Sequence, residues 1–481
     1  MKKMTTKFMC LLVAIMFALV CVGCGGGKEI DTDIVILGEE DILNYDGVIE
    51  FDFRVPSGII ATALETIIPE FEAKWNNKID VELVIETDGY DGVRKTTILD
   101  LNSQVGPTMV LGYPDHFAEY FSGEYMVNLS EYIAVEEDFQ IEDFVQSYLD
   151  ENRISDENDD LYGLPLNKST EILIYNKTIF DAMGYKVPAS WGNLEVLAKQ
   201  ILEDVAAGKL DNIITLAEGE KKPSEFLAAG QFIPFAYDST DNAFITMTRQ
   251  FKGAYTERVN IEQGYALFDN EQVKAGLEYF KGLSTKGYYA VAENFGESYA
   301  SNAFKALKCL MTVGSSAGIS YNVPEGNKFE IAVAPIPYYT EDAKFVIQQG
   351  TNIAILNQST NIQRAAAWQL CKYLTSAPVT AQFCMATGSY LPVRQSAYKL
   401  PEYEDYLQNP PVGKENSVKS AQCGLAYLEN GYTFFVDSPF VGSSEIRDQV
   451  GSLFTKVVVN EEDVSAAIKE TLSILGPAYR K

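Results

Sequence analysis

An alternation of strand-like and helix-like segments between residues 48 and 113 limits the fold more than any other feature of the sequence. VIEFDFRV (Val48–Val55) and IDVELVIE (Ile79–Glu86) carry apolar residues at every second position, as strands do, and TMVLGY (Thr108–Tyr113) is a short apolar strand. Apolar residues at helical spacing fill the stretches between them, although Pro69 predicts a kink or restart in the first helix. Strand, helix, strand, helix, strand is typical of an open α/β sheet.

The length of the chain requires a second sheet. Its 481 residues exceed the ~100–200 residues of an ordinary domain, and a second series of strand-like and helix-like segments follows the first. We therefore predict an α/β protein of two lobes, each a sheet flanked by helices. The predicted division is a signal peptide at 1–23, a tether at 24–46, a first lobe at 47–165 plus 312–350, and a second lobe at 166–311 plus 351–481.

The N-terminus has the composition of an export signal. Lys2, Lys3 and Lys7 precede the apolar run Phe8–Gly23, which is shorter than the ~20 residues needed to span a bilayer and is typical of a signal-peptide core. The run ends in CVGCGGGKE, which resembles a bacterial lipobox, although Cys21 stands where Leu is usual. The resemblance implies that Cys24 is lipidated and holds the protein on the outer face of the cytoplasmic membrane. The alternative is an ordinary secretory signal with a chance cysteine.

Charge and cysteine content argue against several classes of function. With 38 Lys and Arg against 67 Asp and Glu the net charge is −29, and removing the three leader lysines takes it to −32; nucleic acid is therefore not an expected partner, because its binding requires cationic contacts to phosphates. His116 is the one histidine, and none of the four cysteines beyond the leader and Cys24 has C-x-x-C spacing, so no zinc site of the Cys/His type is predicted. Four buried thiols are favoured over a disulfide at Cys309, Cys371, Cys384 and Cys423.

Other cofactor signals are equally weak. DENDD (Asp156–Asp160) has acidic spacing like that of a calcium loop, but Leu161 and Asn167 stand where the loop needs Gly and Glu. No Walker-type phosphate loop is present, so ATP hydrolysis would belong to a separate subunit. We predict no metal and no cofactor.

Two extended segments have polar centres. YGLPLNKSTEILIYNK (Tyr162–Lys177) carries Asn167 to Glu171 inside an otherwise half-buried strand, and FVIQQGTNIAIL (Phe345–Leu356) repeats the pattern. Both lie near a boundary between α/β blocks. We interpret them as crossovers that carry the chain between the lobes, with polar residues facing a cleft; the alternative is edge strands with solvated faces.

Five segments of the chain resemble blocks of the extracellular solute-binding lipoproteins of bacterial ABC importers, in the cluster that binds carbohydrates and glycerol phosphates. They are the two polar-centred segments, GPTMVLGYPD, CLMTVGSSAG and ATGSYLPVRQSAY. The likeness covers roughly residues 45–460, with the blocks in the family's order. Phe53-Arg54 departs from the aromatic residue that many members carry there. The resemblance implies a periplasmic-binding-protein-like fold whose hinged lobes close over a ligand. It also implies a monomer that works with ABC permease subunits.

The candidate ligand-binding residues come mostly from this resemblance. It implies that Tyr90 and Asp115 reach the ligand from the first lobe and that Arg447 matches an arginine that holds phosphate; Arg447 pairing with Glu445 or another carboxylate is the alternative. Stacking on a sugar falls to Tyr or Phe, because the three Trp are interpreted as structural. The full predicted set is Tyr90, Asp115, Ser169, Thr170, Phe235, Ser315, Ser316, Gly350, Thr351, Tyr390 and Arg447, with Tyr237 as a further stacking candidate.

Three functions remain open from the sequence. The first is a solute-binding lipoprotein that captures a carbohydrate, in particular an oligosaccharide, and delivers it to a permease. The second is a binder of glycerol phosphate or of a glycerophosphodiester in the same importer class. The third is a surface glycoside hydrolase, which needs two carboxylates ~5–10 Å apart across a sugar; the sequence places no such pair near the predicted cleft, and no catalytic residue is predicted.

Overall fold

The alternating segments form strands of two separate sheets in a computed structural model of the chain, which describes residues 28–481. The predicted signal peptide and Cys24 lie outside these residues. The strands in chain order are β1 (Ile49–Pro56), β2 (Ile79–Glu86), β3 (Met109–Gly112), β4 (Leu164–Pro165), β5 (Ser169–Asn176), β6 (Phe235–Tyr237), β7 (Thr256–Asn260), β8 (Gln263–Ala266), β9 (Tyr289–Val291), β10 (Met311–Ser315), β11 (Ile331–Ala334), β12 (Phe345–Gln349), β13 (Asn352–Ile355) and β14 (Thr433–Phe435).

Each sheet is the centre of one lobe. The first sheet has the order β2-β1-β3-β13-β4, with β1 parallel to β2 and β3, and β13 antiparallel to β3 and β4. The second has the order β14-β12-β5-β10-β6-β9, with β11 paired to β5. The strands β7 and β8 form a separate hairpin. The predicted α/β architecture of two lobes is confirmed.

Helices cover the faces of both sheets. The helix Ile59–Lys74 runs through Pro69 without a break, so the predicted restart is wrong. Its buried residues Ile60, Leu64 and Ile67 pack into the first-lobe core, and burial of such side chains offsets the hydrogen bond that a proline removes. The α-helices are Glu39–Asn44, Ile59–Lys74, Gly89–Asn102, Pro114–Ser122, Leu129–Ala134, Gln146–Asp150, Lys177–Met183, Trp191–Ala206, Pro223–Ala228, Thr240–Gln250, Glu271–Thr285, Ala300–Lys305, Asn361–Leu374, Ala377–Thr387, Pro401–Gln408, Glu415–Ala426, Ser443–Val458 and Val464–Leu475. None of the described helices is long and apolar enough to cross a membrane.

The two polar-centred segments run side by side from one lobe to the other. The chain leaves the first sheet after β4 and enters the second at β5; it returns from β12 to β13 through Gly350 and Thr351. Gln348 pairs with Thr170 on the second-lobe side, and Asn352 pairs with Pro165 on the first-lobe side. Both segments are therefore crossovers, and together they form an antiparallel two-stranded hinge.

The predicted division of the lobes needs correction after residue 311. The sequence predicts that 312–350 belongs to the first lobe, but β10 and β12 within this range pair with β5 in the second sheet. The range 351–481 was assigned to the second lobe, but β13 pairs with β3 in the first sheet. A third crossing follows the helix Pro401–Gln408, because the next helix, Glu415–Ala426, packs on β5 and β11. Polar centres identified the crossovers, whereas the direction of each crossing depends on strand pairing.

The predicted tether at 24–46 also differs from the structure over its described part. Residue Asp31 accepts hydrogen bonds from Arg364 (3.0 Å) and from the Asn361 backbone N–H (2.6 Å), and Ile42 is fully buried in the first-lobe core. Acidic composition suggested a solvated linker, but these contacts attach the segment to the helix Asn361–Leu374. Any free linker is therefore shorter than the sequence predicts.

The lobes also touch away from the hinge. Asp156 of the first lobe accepts hydrogen bonds from Arg258 (2.6 Å) and from the Ile261 N–H (2.5 Å) of the β7–β8 hairpin. Ile261 is buried in a small cluster with first-lobe residues. At the cleft itself, the Ser444 hydroxyl donates to Asp115 across the lobes at 2.9 Å. The acidic DENDD segment therefore contributes an interlobe contact through its first residue.

Candidate ligand-binding site between the lobes

A cavity of about 920 Å³ lies between the two sheets, near the upper end of the ~300–1,000 Å³ typical of small-molecule sites. We call it the interlobe cavity. Both lobes and both hinge segments contribute to its wall. Residues of the first lobe include Tyr90, Tyr113, Asp115 and Tyr390, and those of the second include Ser169, Glu171, Asp241, Asn242, Ser315, Tyr321, Asp437 and Arg447.

Strand alternation decides which hinge residues face the cavity. Ser169 and Glu171 of β5 line it, whereas Thr170 between them points away. The Thr170 hydroxyl donates to the Ile347 carbonyl at 2.7 Å, and its N–H donates to the Ser316 hydroxyl at 3.2 Å. Successive side chains of a strand point to opposite faces, so one polar segment supplies both the hinge interior and the cavity wall.

The hinge interior is a network of polar side chains. Lys168 and Glu151 form an ion pair with side chains 1% and 3% exposed. The second carboxylate oxygen of Glu151 accepts from Gln348 at 2.8 Å, and Asn352 donates to the first at 2.9 Å. Burial lowers the pKa of Lys168, and Glu151 opposes that shift. These residues join the first-lobe segment around Glu151 to both crossovers.

The first-lobe wall is a group of tyrosines beside one carboxylate. Tyr90 and Tyr113 have ring centroids 4.7 Å apart, and burial raises the pKa of Tyr390 to about 12, so its phenol is protonated at neutral pH. Asp115 lies in the first turn of the helix Pro114–Ser122. Burial alone would raise its pKa, but His116, Arg447 and the Ser444 hydroxyl hold the pKa of Asp115 below its usual value.

Arg447 is the main cation of the second-lobe wall, and each of its three nitrogens already contacts a protein oxygen. Its Nε lies 2.6 Å from an Asp241 oxygen, its Nη1 lies 3.4 Å from Asp437, and its Nη2 donates to Asn242. Burial alone would lower the pKa of Arg447, but the carboxylates of Asp241, Asp437 and Asp115 raise it well above the usual value. The predicted alternative, pairing with a carboxylate, describes this arginine in the structure, although Glu445 is not the partner.

Several buried polar atoms of the wall have no partner in the described protein. Burial raises the pKa of Glu171 to about 8, while the Tyr237 hydroxyl, which donates to one carboxyl oxygen, and the Asn242 side chain oppose the shift. Burial likewise raises the pKa of Asp437 to about 6, against the effect of Arg447. Buried polar groups normally have a hydrogen-bond partner, so these atoms are suited to a ligand. They are Glu171 Oε1, Asp437 Oδ1, Asn322 Oδ1, Thr312 Oγ1 and His116 Nδ1.

Six of the eleven predicted site residues line the interlobe cavity, and five do not. Those on the wall are Tyr90, Asp115, Ser169, Ser315, Tyr390 and Arg447. Ser315 also accepts the Ala317 N–H at 3.2 Å as the cap of the short 3₁₀ helix Ser316–Asn322. Whether the six contact a ligand stays a prediction.

The other five are corrected by their surroundings. Phe235 packs in the second-lobe core, with its ring 5.1 Å from that of Tyr289. Thr170 and Ser316 bond to each other, as described above. Thr351 donates to the Asn167 side chain from its N–H and its hydroxyl, at 3.0 and 3.2 Å, and Gly350 lies against the Asn167 backbone. Tyr237, the further stacking candidate, is also buried and donates to Glu171.

Sequence reasoning missed most of the acidic wall. Glu171 shares a strand face with Ser169, so strict alternation from the predicted Ser169 identifies it. Asp241, Asn242 and Asp437 come from the start of the helix Thr240–Gln250 and from the loop after β14. No local pattern marks them, because only the tertiary fold brings these segments to Arg447.

The comparisons with known proteins agree with this architecture. A family described as "Bacterial extracellular solute-binding protein" matches residues 66–411, well over half of the chain. The chain belongs to this family. Among curated relatives, the "Multiple sugar-binding protein" of Streptococcus mutans is 23% identical over 338 residues, 69% of this chain and 72% of that protein.

A second relative is named for a different ligand. The "sn-glycerol-3-phosphate-binding periplasmic protein UgpB" of Shigella dysenteriae is 24% identical over 263 residues, which span 52% of this solute-binding protein and 53% of that relative. The chain therefore matches about half the length of that protein.

Two solved structures share the fold over 90% of the chain. UgpB from Mycobacterium tuberculosis in complex with glycerophosphocholine has a TM-score of 0.69 at 18% identity, with 98% of that chain covered. The GacH receptor of Streptomyces glaucescens, solved unliganded and with acarbose, has a TM-score of 0.68 at 17% identity, with 99% covered. At these identities the likeness shows the fold, which is that of two-lobed periplasmic binding proteins.

Proposed function

We propose that this solute-binding protein captures a neutral carbohydrate in the interlobe cavity and delivers it to the permease subunits of an ABC importer. The acidic wall is the observation that carries the proposal. Seven carboxylic residues line the cavity against three cationic ones, Arg94, Lys305 and Arg447. The seven are Asp91, Asp115, Glu171, Asp238, Asp241, Asp437 and Asp448.

Hydroxyl groups suit such a wall better than phosphate does. Asp437 and Asn322 leave buried oxygens without a protein partner, and an oxygen of this kind accepts a hydrogen bond from a ligand hydroxyl. A phosphate oxygen only accepts and adds negative charge beside the carboxylates. Tyrosine faces on the first lobe supply the flat apolar surface that a sugar ring needs on its C–H side.

A glycerophosphodiester with a cationic head group is the second candidate. Arg447 lies at the cavity, and two UgpB proteins similar to this chain, one named for sn-glycerol-3-phosphate and one solved with glycerophosphocholine, motivate the idea. An anionic ligand would share Arg447 with the carboxylates of Asp241 and Asp437 and be repelled by them, while a quaternary ammonium group would suit Tyr90 and Tyr113 through cation–π contact. Simple glycerol phosphate lacks that compensation, so the diester is the better form of this alternative.

A thermal-shift screen with neutral oligosaccharides, glycerol 3-phosphate and glycerophosphocholine tests the proposal. A ligand at 100 times its Kd stabilises the protein by about 2.7 kcal/mol, so a true ligand gives a clear shift. We expect neutral saccharides to stabilise the protein and glycerol 3-phosphate to have no effect. Stabilisation by the phosphate ligands alone would overturn the carbohydrate proposal.

The variant Arg447→Ala separates the two ligand classes. It should abolish binding of a phosphodiester while a neutral sugar still binds. Arg153→Ala is the matched control, because Arg153 lies on the first lobe outside the cavity wall. Equal loss of neutral sugar and diester would mean that Arg447 only holds the wall together.

We further propose that the protein binds its ligand without chemical change, against the hydrolase alternative. Family membership supports this, since solute-binding proteins hold and release their ligands. Incubation with the oligosaccharide found in the screen, followed by product analysis, should return it intact. Release of shorter saccharides at a rate proportional to protein concentration would favour the glycosidase.

Cys24 is proposed to carry a lipid that holds a monomeric protein at the outer face of the cytoplasmic membrane. Its apolar leader and the glycines around it support this proposal. Cys24→Ala should move the protein from the membrane fraction to the medium, and the released protein should sediment as a monomer. Retention of the variant in the membrane would refute the anchor, and sedimentation as a dimer would refute the monomer.

A further inference from the structure

Two tyrosines at the edge of the interlobe cavity differ from the others on its wall. Tyr299 and Tyr321 line the cavity, yet 63% and 56% of their surfaces are exposed. Tyr390 and Tyr255, by contrast, are 8% and 5% exposed. Single exposed apolar side chains are common and need no explanation. These two tyrosines are distinguished by their position on the cavity wall and by their neighbours.

Both tyrosines belong to the same part of the second lobe. Tyr299 directly precedes the helix Ala300–Lys305, and Tyr321 lies in the 3₁₀ helix Ser316–Asn322, which packs against it. Asn302 and Asn322 of the same two elements also line the cavity. We call this group of Tyr299, Tyr321, Asn302 and Asn322 the outer shelf.

The ring faces of the outer shelf are not used within the protein. Neither tyrosine ring is paired with another aromatic ring of the described chain, and neither hydroxyl has a hydrogen-bond partner there. Tyr339, another exposed tyrosine, instead stacks on Phe251 with centroids 3.8 Å apart. Flat rings with amide groups between them combine apolar faces with hydrogen-bonding groups, which is the chemistry that a sugar ring needs.

The shelf is continuous with the enclosed part of the site. Tyr321 of the second lobe and Tyr390 of the first lobe line the same cavity, so the shelf borders the part of the site that holds the buried tyrosines. The cavity volume of about 920 Å³ equals about thirty water volumes at ~30 Å³ each. That is room for more than one sugar ring.

We propose that the outer shelf is a second subsite, where Tyr299 and Tyr321 stack on a sugar ring beyond the one held at Glu171 and Arg447. The occupant is the further unit of a neutral oligosaccharide, so the protein selects for chain length. This inference rests on the proposed carbohydrate function. The shelf gives no affinity for a monosaccharide, which the enclosed part of the cavity holds by itself.

Isothermal titration with one saccharide series tests the subsite. The series is the mono-, di-, tri- and tetrasaccharide of the repeat unit found in the thermal-shift screen. An aromatic contact of this kind contributes about two- to tenfold in affinity, so Tyr299→Ala and Tyr321→Ala should each weaken binding of the di-, tri- and tetrasaccharide about fivefold. Monosaccharide affinity should not change.

Conservative variants and a distant control make the result specific. Tyr299→Phe and Tyr321→Phe keep the rings and should keep the affinity for long chains. Tyr45→Ala is the control, because Tyr45 is 41% exposed and lies outside the cavity wall. Its titrations should match those of the unmodified protein at every length.

The titrations distinguish a wrong subsite from a wrong function. If Tyr299→Ala and Tyr321→Ala bind all lengths as the unmodified protein does, the subsite is refuted while carbohydrate binding stands. The same holds if they lose monosaccharide and tetrasaccharide affinity equally. If no neutral saccharide binds the unmodified protein, the proposed function falls and the subsite falls with it.

Discussion

Two buried glutamates on either side of the first crossover have different environments. Glu151, in the hinge, has both carboxylate oxygens bound by protein donors: Lys168, Asn352 and Gln348. Glu171, on the cavity wall, has one oxygen bound by Tyr237, while the other makes no well-formed hydrogen bond and has only the Asn242 side chain near it. A satisfied buried carboxylate stabilises one arrangement of the chain, whereas an unsatisfied one weakens the empty protein until a ligand arrives. The Glu151 carboxylate therefore stabilises the hinge, and we infer that the Glu171 carboxyl group binds the solute.

The largest change in stability is expected when the Lys168–Glu151 ion pair of the hinge is broken. Lys168→Met leaves Glu151 buried without its counter-charge, and loss of one partner of a buried pair costs about 3–5 kcal/mol. We expect the free energy of unfolding, measured with urea, to fall by that amount. The double variant Lys168→Met/Glu151→Leu should recover much of the loss, since apolar replacement of a whole pair is often nearly neutral. A single variant that loses less than about 1 kcal/mol would mean that water screens the pair.

A second test concerns the backbone of the return crossover. Gly350 has a φ of +114°, and a Cβ there would lie 2.2 Å from the Asn167 carbonyl oxygen and 2.6 Å from the Lys168 Cα. Gly350→Ala should therefore cost about 2–3 kcal/mol in unfolding free energy. Gly282→Ala is the control, because a Cβ added at Gly282 in the helix Glu271–Thr285 would meet no atom within 4 Å. This variant should raise the unfolding free energy by about 0.5–1 kcal/mol. Equal effects of the two variants would show that the crossovers are not in close contact.

The third test uses pH to report on the wall glutamate. Burial raises the pKa of Glu171 to about 8 from 4.5, so the folded state holds a proton over that range that the unfolded state has lost. Stability contributed by this proton is complete below pH 4.5 and is lost as the pH rises through 8. The slope is at most about 1.4 kcal/mol per pH unit.

Comparison with Glu171→Gln isolates this contribution, because the amide does not titrate. The difference in unfolding free energy between the variant and the unmodified protein, without ligand, should grow in favour of the variant from pH 5 to 8. Denaturation at several pH values measures it. Asp437, with a pKa of about 6, is present in both proteins and cancels. Parallel profiles would place Glu171 in solvent contact.

The fold and the site differ in how far the sequence predicts them. Alternating and helical patterns are local, so the strands β1, β2 and β3 and the two crossovers follow from them. Whether β10 belongs to the first or the second sheet depends on its pairing with β5, more than a hundred residues away, and no local pattern records that. The same distinction applies to the site: Ser169 lies in a recognisable crossover, whereas Asp437 meets Arg447 only in the folded chain.

The side-chain network explains the remaining errors in the site. Thr170, Ser316 and Thr351 are hydroxyl residues in the predicted segments, and residue type alone does not separate a hydroxyl that binds a backbone carbonyl from one that faces a ligand. Phe235 is a stacking candidate on residue type alone, but its strand β6 lies inside the second sheet, between β10 and β9. A central strand is covered on both faces, and its aromatic ring is therefore core.

The smallest effect is expected at the interlobe contact between Asp156 and the β7–β8 hairpin. Asp156 accepts from Arg258 and from the Ile261 N–H, and both contacts exist only while the lobes are together. Partly exposed ion pairs contribute about 0.2–1 kcal/mol, so Asp156→Ala should weaken ligand binding about threefold through the closed state. The contact acts on affinity through the balance between open and closed forms, because a ligand shifts that balance only by its difference in affinity for the two. Isothermal titration measures the affinity, and Asp159→Ala in the same loop is the charge-matched control. Equal weakening in both variants would show that the effect comes from the charge of the loop. The Asp156 contact would then have no specific role in closure of the lobes.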